Sequence, residues 1–245
     1  MRTKPYLLGA SFRPDVVIDF DVYPFNIPAV RKIQDIKFHP NVTFFVGENG
    51  SGKSTVMEAI AVALGYGPEG GTKNVQFSTA ESVSSLSDNI RIARGTDRPT
   101  DGYFLRAESF FNVATYMDQV GYFERYGGRS LHSRSHGEAF ITLLIEKFRG
   151  DGLYLLDEPE AALSPSRQLA ALHAIHHLVH DNSQFVIATH SPILLSYPNA
   201  RIVQFDDSGV SDIDYEETEH FVVTRDFLNN YRGRLQRLFA DDPDV

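Results

Sequence analysis

The stretch from Gly47 to Thr55 contains residues that can hold phosphate groups. It fits the pattern G-x-x-x-x-G-K-[ST] and consists of Gly47, Glu48, Asn49, Gly50, Ser51, Gly52, Lys53, Ser54 and Thr55. Glycines let consecutive backbone N–H groups curl around an anion, and the following helix points the positive end of its dipole at the phosphates. We expect Lys53 to reach the β- and γ-phosphates, the Ser54 hydroxyl to bind Mg²⁺ and Thr55 to reach the α-phosphate. The stretch therefore predicts a site for a nucleoside triphosphate and Mg²⁺.

Two adjacent carboxylates could supply the chemistry that a phosphate-binding loop lacks. Asp157 and Glu158 follow an apolar run, within the sequence LYLLDEPE of residues 153–160. Asp157 would end a buried strand and hold the Mg²⁺ shell, whereas the side chain of Glu158 would point elsewhere, towards an attacking water. A simple acidic turn, which Pro159 would also suit, is the alternative interpretation. Together with the phosphate loop, the pair predicts metal binding by Asp157 and general-base catalysis by Glu158.

A histidine stands at the end of another apolar run. His190 closes the sequence QFVIATH of residues 184–190. A neutral imidazole at this place could bond the γ-phosphate and orient the general base, so we assign a catalytic role to His190. Taken alone, the residue would be an ordinary histidine at the end of a strand.

The order of these motifs resembles that of ABC-type ATPases, and in particular of the stand-alone ATPases grouped with SMC/RecF-like and OLD-like heads. The matching segments are the phosphate loop at 47–55, RSHGEAF at 134–140, which resembles the family signature, DEP at 157–159, AALSP at 161–165 in place of the D-loop, and THSP at 189–192 in place of the switch histidine. The resemblance implies a homodimer that forms head-to-tail on ATP binding. Two Mg-ATP would lie between the phosphate loop of one subunit and the signature of the other.

The signature of this chain departs from the family pattern. His136 replaces the first glycine and Glu138 replaces the glutamine, but Ser135 and Gly137 are kept before an apolar helix. The resemblance implies that Ser135, Gly137 and Glu138 contact the nucleotide of the partner subunit. No Q-loop glutamine is evident, and by position we expect Glu108 to take its place as a metal ligand.

Strands alternate with helices along the chain, which predicts an α/β fold. With the resemblance, we expect a P-loop NTPase of the ABC ATPase type, with a mostly parallel sheet, helices on both faces, antiparallel edge strands and a small, partly helical lobe inserted at about 75–135 of a single domain, 1–245. The strands are predicted at 14–25 (an edge strand or hairpin arm), 41–46, 152–158, 184–190 and 200–205, and the helices at 51–65, 112–127, 136–150, 164–180 and 224–239.

Composition and charge exclude several classes of protein. The chain has no cysteine, which excludes a disulfide framework and a cysteine nucleophile, and 23 Lys and Arg against 32 Asp and Glu give it a net charge of −9. That balance argues against broad electrostatic binding of nucleic acid, although a local basic patch would allow contact with a phosphate backbone. The N-terminus has no signal-peptide pattern, and no run approaches the ~20 apolar residues of a membrane helix. We therefore expect a cytoplasmic protein without membrane insertion.

Two further clusters allow more than one interpretation. Seven arginines could contact nucleic acid or belong to a solvated surface, namely Arg91, Arg94, Arg98, Arg106, Arg125, Arg129 and Arg134. Four histidines could bind a metal ion or form a half-buried helix face, namely His173, His176, His177 and His180. No cysteine accompanies the histidines and their helix should lie away from the nucleotide, which favours the helix face.

The resemblance implies an ATPase that converts ATP and water to ADP and phosphate. Closure and reopening of the homodimer would drive or regulate an unidentified partner protein, for example in DNA repair or defence. Two alternatives stay open, a nucleotide-binding subunit of an ABC transporter and a regulatory switch with slow turnover. The missing Q-loop glutamine disfavours the transporter subunit.

Overall fold

The computed structural model describes residues 3–33, 35–73, 84–109 and 136–240. Its strands are β1 (Leu7–Phe12), β2 (Ile36–Lys37), β3 (Val42–Val46), β4 (Ile90–Arg94), β5 (Asp101–Arg106), β6 (Gly152–Asp157), β7 (Gln184–Ala188), β8 (Arg201–Asp206) and β9 (Gly209–Asp212). Its helices are α1 (Pro28–Arg31), α2 (Lys53–Leu64), α3 (Leu86–Asn89), α4 (His136–Thr142), α5 (Pro165–His180), α6 (Pro192–Leu195), α7 (Glu219–Asn229) and α8 (Tyr231–Leu238). A π-helical segment spans Leu143–Lys147, and short 3₁₀ helices span Pro159–Ala162 and Tyr215–Glu217.

Most strands of the described residues form one sheet, with the order β5-β6-β7-β3-β8-β9. Neighbouring strands from β5 to β8 are parallel, and β9 runs antiparallel to β8 at the edge. Every residue of β3 and of β7 is buried. Strands that are apolar on both faces are typical of parallel sheets covered by helices on both sides. The prediction of an α/β fold with a mostly parallel sheet and an antiparallel edge strand is confirmed.

The sheet separates two hydrophobic cores, because successive residues of a strand point to opposite faces. Phe44 of β3 packs into the core that α4, α5 and α6 cover, whereas its neighbour Phe45 packs into the core that α1 and α2 cover. Ile175 of α5 belongs to the core of Phe44, and Ile60 of α2 belongs to the core of Phe45. The packed sheet fixes the positions of the loops that leave its carboxyl edge.

The buried side chain of Gln184, in β7 of the main sheet, hydrogen-bonds to a smaller antiparallel sheet with the order β2-β1-β4 and to the chain next to it. The Gln184 amide group donates to the carbonyl oxygens of Leu7 and His39 at 2.8 and 2.9 Å. Its side-chain oxygen accepts from the backbone N–H groups of Tyr6 and Leu7, both at 2.9 Å. All four hydrogen-bonding positions of the amide are therefore used.

The prediction of a strand at 14–25 is wrong. The N-terminal strand is β1, and residues 14–25 consist of turns and irregular chain. The alternating pattern does separate packed from exposed side chains, since Phe20 packs against Phe12 with ring centroids 6.1 Å apart while Val17 is fully exposed. None of the described strands pairs with this segment. Without a partner strand its backbone N–H and C=O groups cannot form the hydrogen bonds of a sheet, so the alternation alone does not make a strand.

Two helices differ from their predicted bounds. The helix predicted at 224–239 is divided into α7 and α8, because Asn230 leaves the helical conformation between them. The helix predicted at 136–150 ends at Lys147, after the π-helical segment. The helix predicted at 112–127 lies outside the described residues. Among the helices that are described, none is both long and apolar enough to cross a membrane.

The lobe predicted at about 75–135 is described only in residues 84–109. In this part α3 packs against α2, β4 joins the smaller sheet and β5 forms an edge of the main sheet. The described part therefore contributes to both sheets. The inserted lobe and the single-domain organisation of 1–245 stay predictions.

Replacement of Gln184 by Leu keeps the side-chain volume but removes all four hydrogen bonds. We expect the free energy of unfolding to fall by about 3–5 kcal/mol, because buried backbone groups at the junction of the two sheets lose their partners. Urea denaturation measures this loss. Gln236→Leu on the exposed face of α8 is the matched control and should change stability by less than about 0.5 kcal/mol. Equal stabilities of the two variants would contradict the joining role of Gln184.

Candidate functional site

The phosphate loop connects β3 to α2, and two of its glycines are required by its shape. At Gly47 φ is +142°, and a Cβ atom would lie 2.2 Å from the carbonyl oxygen of Phe205. Gly52 caps α2 with a left-handed φ of +99°. The loop can therefore turn tightly into the first turn of α2, where free backbone N–H groups and the helix dipole favour an anion.

Lys53 lies inside the phosphate loop. Its Nζ donates to the carbonyl oxygens of Gly47 and Glu48, at 2.8 Å each, and the residue is only 4% exposed. Burial lowers the pKa of Lys53, and the nearby carboxylates of Glu158 and Asp157 oppose this shift. The loop thus carries a buried ammonium group at its centre, where a phosphate could exchange with the two carbonyl oxygens.

The Ser54 hydroxyl and the Asp157 carboxylate meet beside the loop. Ser54 Oγ, in the first turn of α2, donates to Asp157 Oδ1 at the end of β6, at 2.9 Å. Burial raises the pKa of Asp157 to about 6, against the opposing effects of Arg106 and Ser54. Mg²⁺ prefers oxygen ligands and in nucleotide sites takes few of them from the protein. The hydroxyl and the carboxylate together fit such an ion.

Glu158 and His190 form a second pair next to the first. The chain turns sharply at Glu158, where φ is +51°, and the Glu158 side chain is 39% exposed whereas that of Asp157 is 6% exposed. His190 follows β7, and its Nε2 lies 3.7 Å from Glu158 Oε1. Burial and the positive charge of Lys53, with His220, lower the pKa of His190 to about 4, so the ring is neutral at pH 7. Within the described residues, Nε2 of His190 has no hydrogen-bond partner.

Sequence reasoning missed Glu160, which fixes the backbone of His190. Glu160 Oε1 accepts a hydrogen bond from the His190 backbone N–H at 2.5 Å and is also bonded by the Thr189 side chain. On the other side of the same loop, Ser191 Oγ donates to Gln168 Oε1 at 2.5 Å. The loop after β7 is therefore held at two points. The sequence DEPE does contain this third carboxylate, but no local pattern shows that it reaches the loop after β7.

Arg106, at the end of β5, is a second residue whose place sequence reasoning missed. Its Nη1 lies 2.5 Å from Glu58 Oε2, its Nε 3.7 Å from Asp157 Oδ2 and its Nη2 3.7 Å from Glu108 Oε2. The Glu58 and Asp157 side chains are 13% and 6% exposed, so this guanidinium group neutralises buried charge. Arg106 is opposite Asp157 in the register of β5 and β6, which no local sequence pattern indicates. Glu108 is 86% exposed beside Arg106, and its role as a metal ligand stays a prediction.

The signature residues lie against the segment that follows Glu158. A Cβ atom at Gly137 would lie 2.7 Å from the carbonyl oxygen of Ala162 and 2.5 Å from Arg167 Nη1. The carboxylate of Glu138 lies 3.2 Å from Arg167 Nη2. Ser135 lies outside the described residues.

A cavity of about 490 Å³ adjoins the phosphate loop. Its lining includes four further residues of the predicted binding set, namely Glu48, Asn49, Gly50 and Ser51. Other walls come from α1, from residues 204–208 and from the start of α7. Ser51 Oγ is buried and has no hydrogen-bond partner in the described part of the chain. Thr55 lies in the first turn of α2, half-buried. The volume and the polar groups fit a nucleotide.

The chain matches the model of a known protein family. A family model described as an AAA domain matches residues 25–156, which is more than half of the chain. The match includes the whole phosphate loop and ends beside Asp157. No curated protein matches the chain.

Solved structures similar to this chain include SMC heads and ABC transporter cassettes. The SMC head domain from Thermotoga maritima is 15% identical, with a TM-score of 0.47, over 85% of this chain and 98% of that chain. CbiO1 from Clostridium perfringens, part of the ABC transporter complex CbiONQ, is 17% identical, with a TM-score of 0.47, over 84% and 91%. MJ1267, an ATP-binding cassette of an ABC transporter in its ADP conformation, is 16% identical, with a TM-score of 0.45, over 82% and 91%. Likenesses of this degree concern the general fold alone.

Replacement of Arg106 by Gln should destabilise the protein, because Glu58 and Asp157 lose the cation between them. We expect the free energy of unfolding to fall by about 3 kcal/mol, as is typical when one partner of a buried ion pair is removed. Urea denaturation of Arg106→Gln, of Glu58→Gln and of the double variant isolates the coupling.

The matched control is Arg13→Gln, which loses an exposed ion pair with Asp15 at 2.8 Å. This control should change the free energy of unfolding far less than Arg106→Gln does, because solvent screens an exposed ion pair. If both arginine variants lost the same amount, Arg106 would have no special role in holding the buried carboxylates.

Proposed function

The chain belongs to the AAA domain family, and we propose that it is an ABC-type ATPase that binds Mg-ATP, closes into a head-to-tail homodimer and hydrolyses the ATP. The observation that carries this proposal is the convergence of three strand ends. Lys53 and Ser54 follow β3, Asp157 and Glu158 lie at the end of β6, and His190 follows β7. These residue types are the ones that binding of phosphate and Mg²⁺ and activation of water require.

The phosphate loop and its neighbours would perform the binding step. Backbone N–H groups at the start of α2 and the Lys53 ammonium hold the phosphates, while the adjoining cavity takes the nucleoside. Ser54 and Asp157 would hold Mg²⁺, which would supply positive charge that offsets the negative charge of the phosphates. The 2.9 Å contact between Ser54 and Asp157 supports this assignment, because both oxygens already face the same point.

Glu158 would act as the general base. Its carboxylate takes a proton from the attacking water, whose oxygen bonds to the γ-phosphorus as the bond to the ADP oxygen breaks. His190 supports this step, since its neutral ring lies 3.7 Å from the Glu158 carboxylate and can hydrogen-bond the γ-phosphate. Glu160 keeps His190 in place through the backbone.

The second half of each site would come from another copy of the chain. Gly137 and Glu138 pack near Ala162 and Arg167 and are not in the lining of the cavity at the phosphate loop. A head-to-tail homodimer would place them, with Ser135, against the γ-phosphate of the partner. Closure on ATP and reopening after hydrolysis would be the output that drives or regulates a partner protein.

Replacement of Glu158 by Gln should separate chemistry from binding. The amide keeps the shape of the side chain but cannot accept a proton, so we expect phosphate release to fall by about 10²–10⁴-fold. ATP binding should persist because Lys53, Ser54 and Asp157 are unchanged, and the dimer should accumulate in Mg-ATP. Phosphate release and light scattering after size exclusion measure the two effects.

The control for this variant is Asp157→Asn, which should weaken the Mg²⁺ site and so lose the dimer as well. Hydrolysis at the wild-type rate by Glu158→Gln would remove Glu158 from the mechanism. A Glu158→Gln protein that is inactive but stays monomeric in Mg-ATP would contradict the dimer.

Replacement of Ser135 by Arg should act on the partner's site. We expect nearly normal ATP affinity of the monomer, because the phosphate loop is unchanged, together with loss of ATP-driven dimers in light scattering. Ser196→Arg is the matched control, since Ser196 is an exposed serine after α6, in the loop that leads to the start of β8, and its substitution should leave dimers intact. ATP-driven dimers of wild-type stability in the Ser135→Arg protein would refute the head-to-tail arrangement.

A further inference from the structure

Four histidines lie on the exposed side of the second half of α5. His173, His176, His177 and His180 are all exposed, so the expected half-buried helix face is wrong. They form two pairs with the i, i+4 spacing, in which the Nε2 atoms of His173 and His177 are 3.0 Å apart and those of His176 and His180 are 3.1 Å apart. The two rings of each pair have centroids 4.4 Å apart. Each pair therefore brings two ring nitrogens to one point on the helix surface.

The distances within the pairs match the separation of two imidazoles on one metal ion. With metal–nitrogen bonds of about 2.0–2.1 Å, nitrogens 3.0–3.1 Å apart subtend an angle of about 95° at the ion. That angle belongs to adjacent positions of square-planar or octahedral coordination, which Cu²⁺ and Ni²⁺ favour with nitrogen ligands. Histidines at i and i+4 of a helix are also the spacing that binds Zn²⁺ in helical metal sites.

Bound metal would replace a proton that the two rings now share. In each pair one Nε2–H donates to the other Nε2, and small rotations of the rings turn both lone pairs towards a cation between them. For one pair a further contact orients a ring, since Nδ1 of His176 lies 3.3 Å from the Tyr197 hydroxyl. Hydrogen bonding of the second ring nitrogen is the usual way in which a metal-binding histidine is oriented.

The pair of His176 and His180 opens on a cavity of about 420 Å³ that gives room for water or another small ligand on the ion. Asn199 and Tyr197 also line it. Lys4 lines the same cavity, but its ammonium group donates to the carbonyl oxygens of Val179 and Ser183, so the histidine nitrogens are not its partners.

We propose that α5 carries two surface sites for divalent transition-metal cations such as Ni²⁺, Cu²⁺ or Zn²⁺, one at His173 and His177 and one at His176 and His180. Each site offers two protein ligands, because the described residues contain no group of three or more metal-binding side chains. Water or another ligand completes the coordination. These sites share no residue with the nucleotide site, so the inference does not depend on the proposed ATPase activity.

The test is isothermal titration of the untagged chain with NiCl₂, using two variants that each keep two of the four histidines. His173→Ala with His177→Ala leaves the pair of His176 and His180 intact. His173→Ala with His180→Ala leaves His176 and His177, which are adjacent in sequence and project about 100° apart around the helix. Both variants keep every other histidine of the chain, so they differ only in the spacing of the two that remain.

We expect the variant that keeps His176 and His180 to bind one more Ni²⁺ per chain than the variant that keeps His176 and His177. The affinity for this ion should be at least about tenfold higher than any affinity of the adjacent histidines, because both histidines of the i, i+4 pair bind the same ion. The reciprocal variant, His176→Ala with His180→Ala, should behave like the first. All four side chains are exposed, so the fold should be unchanged, which circular dichroism checks. Equal Ni²⁺ binding by the two kinds of variant would overturn the proposal, since affinity would then follow histidine number rather than geometry.

Discussion

The parallel arrangement of β6, β7 and β3 is the constraint on which the candidate site depends. Parallel neighbours end at the same edge of a sheet, so three loops that are far apart in sequence start side by side. Lys53, Asp157 and His190 reach one region for this reason. The two hydrophobic cores keep the strands in register, and a slip of one residue would turn each strand end towards the wrong face.

The candidate site at these strand ends also contains several buried charged side chains. The ammonium of Lys53 and the guanidinium of Arg106 stand among the carboxylates of Glu58, Asp157 and Glu160. Burial raises the pKa of Asp157 and of Glu160 and lowers that of Lys53, so each group depends on its partners to keep its charge. Such an arrangement gains from a ligand that brings both negative phosphates and a positive metal ion. These buried charges are complementary to the phosphates and the metal ion of the proposed ligand, Mg-ATP.

The sequence predicts those parts of the fold and site that local patterns determine. The glycine loop, the apolar strand before Asp157 and the alternation of strands and helices each follow from neighbouring residues, and together they predict the mostly parallel sheet. Arg106 and Glu160 could not be found in this way, because their partners are distant in sequence and are brought close by the order of the strands in the sheet. At 14–25 the error is the opposite one. The segment has the alternating pattern of a strand, but none of the described strands pairs with it, so the predicted strand is absent there.

Binding of Mg-ATP by the Lys53→Ala variant tests the central claim most directly. Calorimetric titration should show an affinity about 100-fold or more below that of the wild type, because the only buried ammonium described in the loop is removed. Lys37→Ala, which removes an exposed lysine from β2, should bind like the wild type, and both variants should keep their melting temperature within a few degrees. Unchanged affinity in a folded Lys53→Ala protein would contradict the assignment of the phosphate loop as the ATP site.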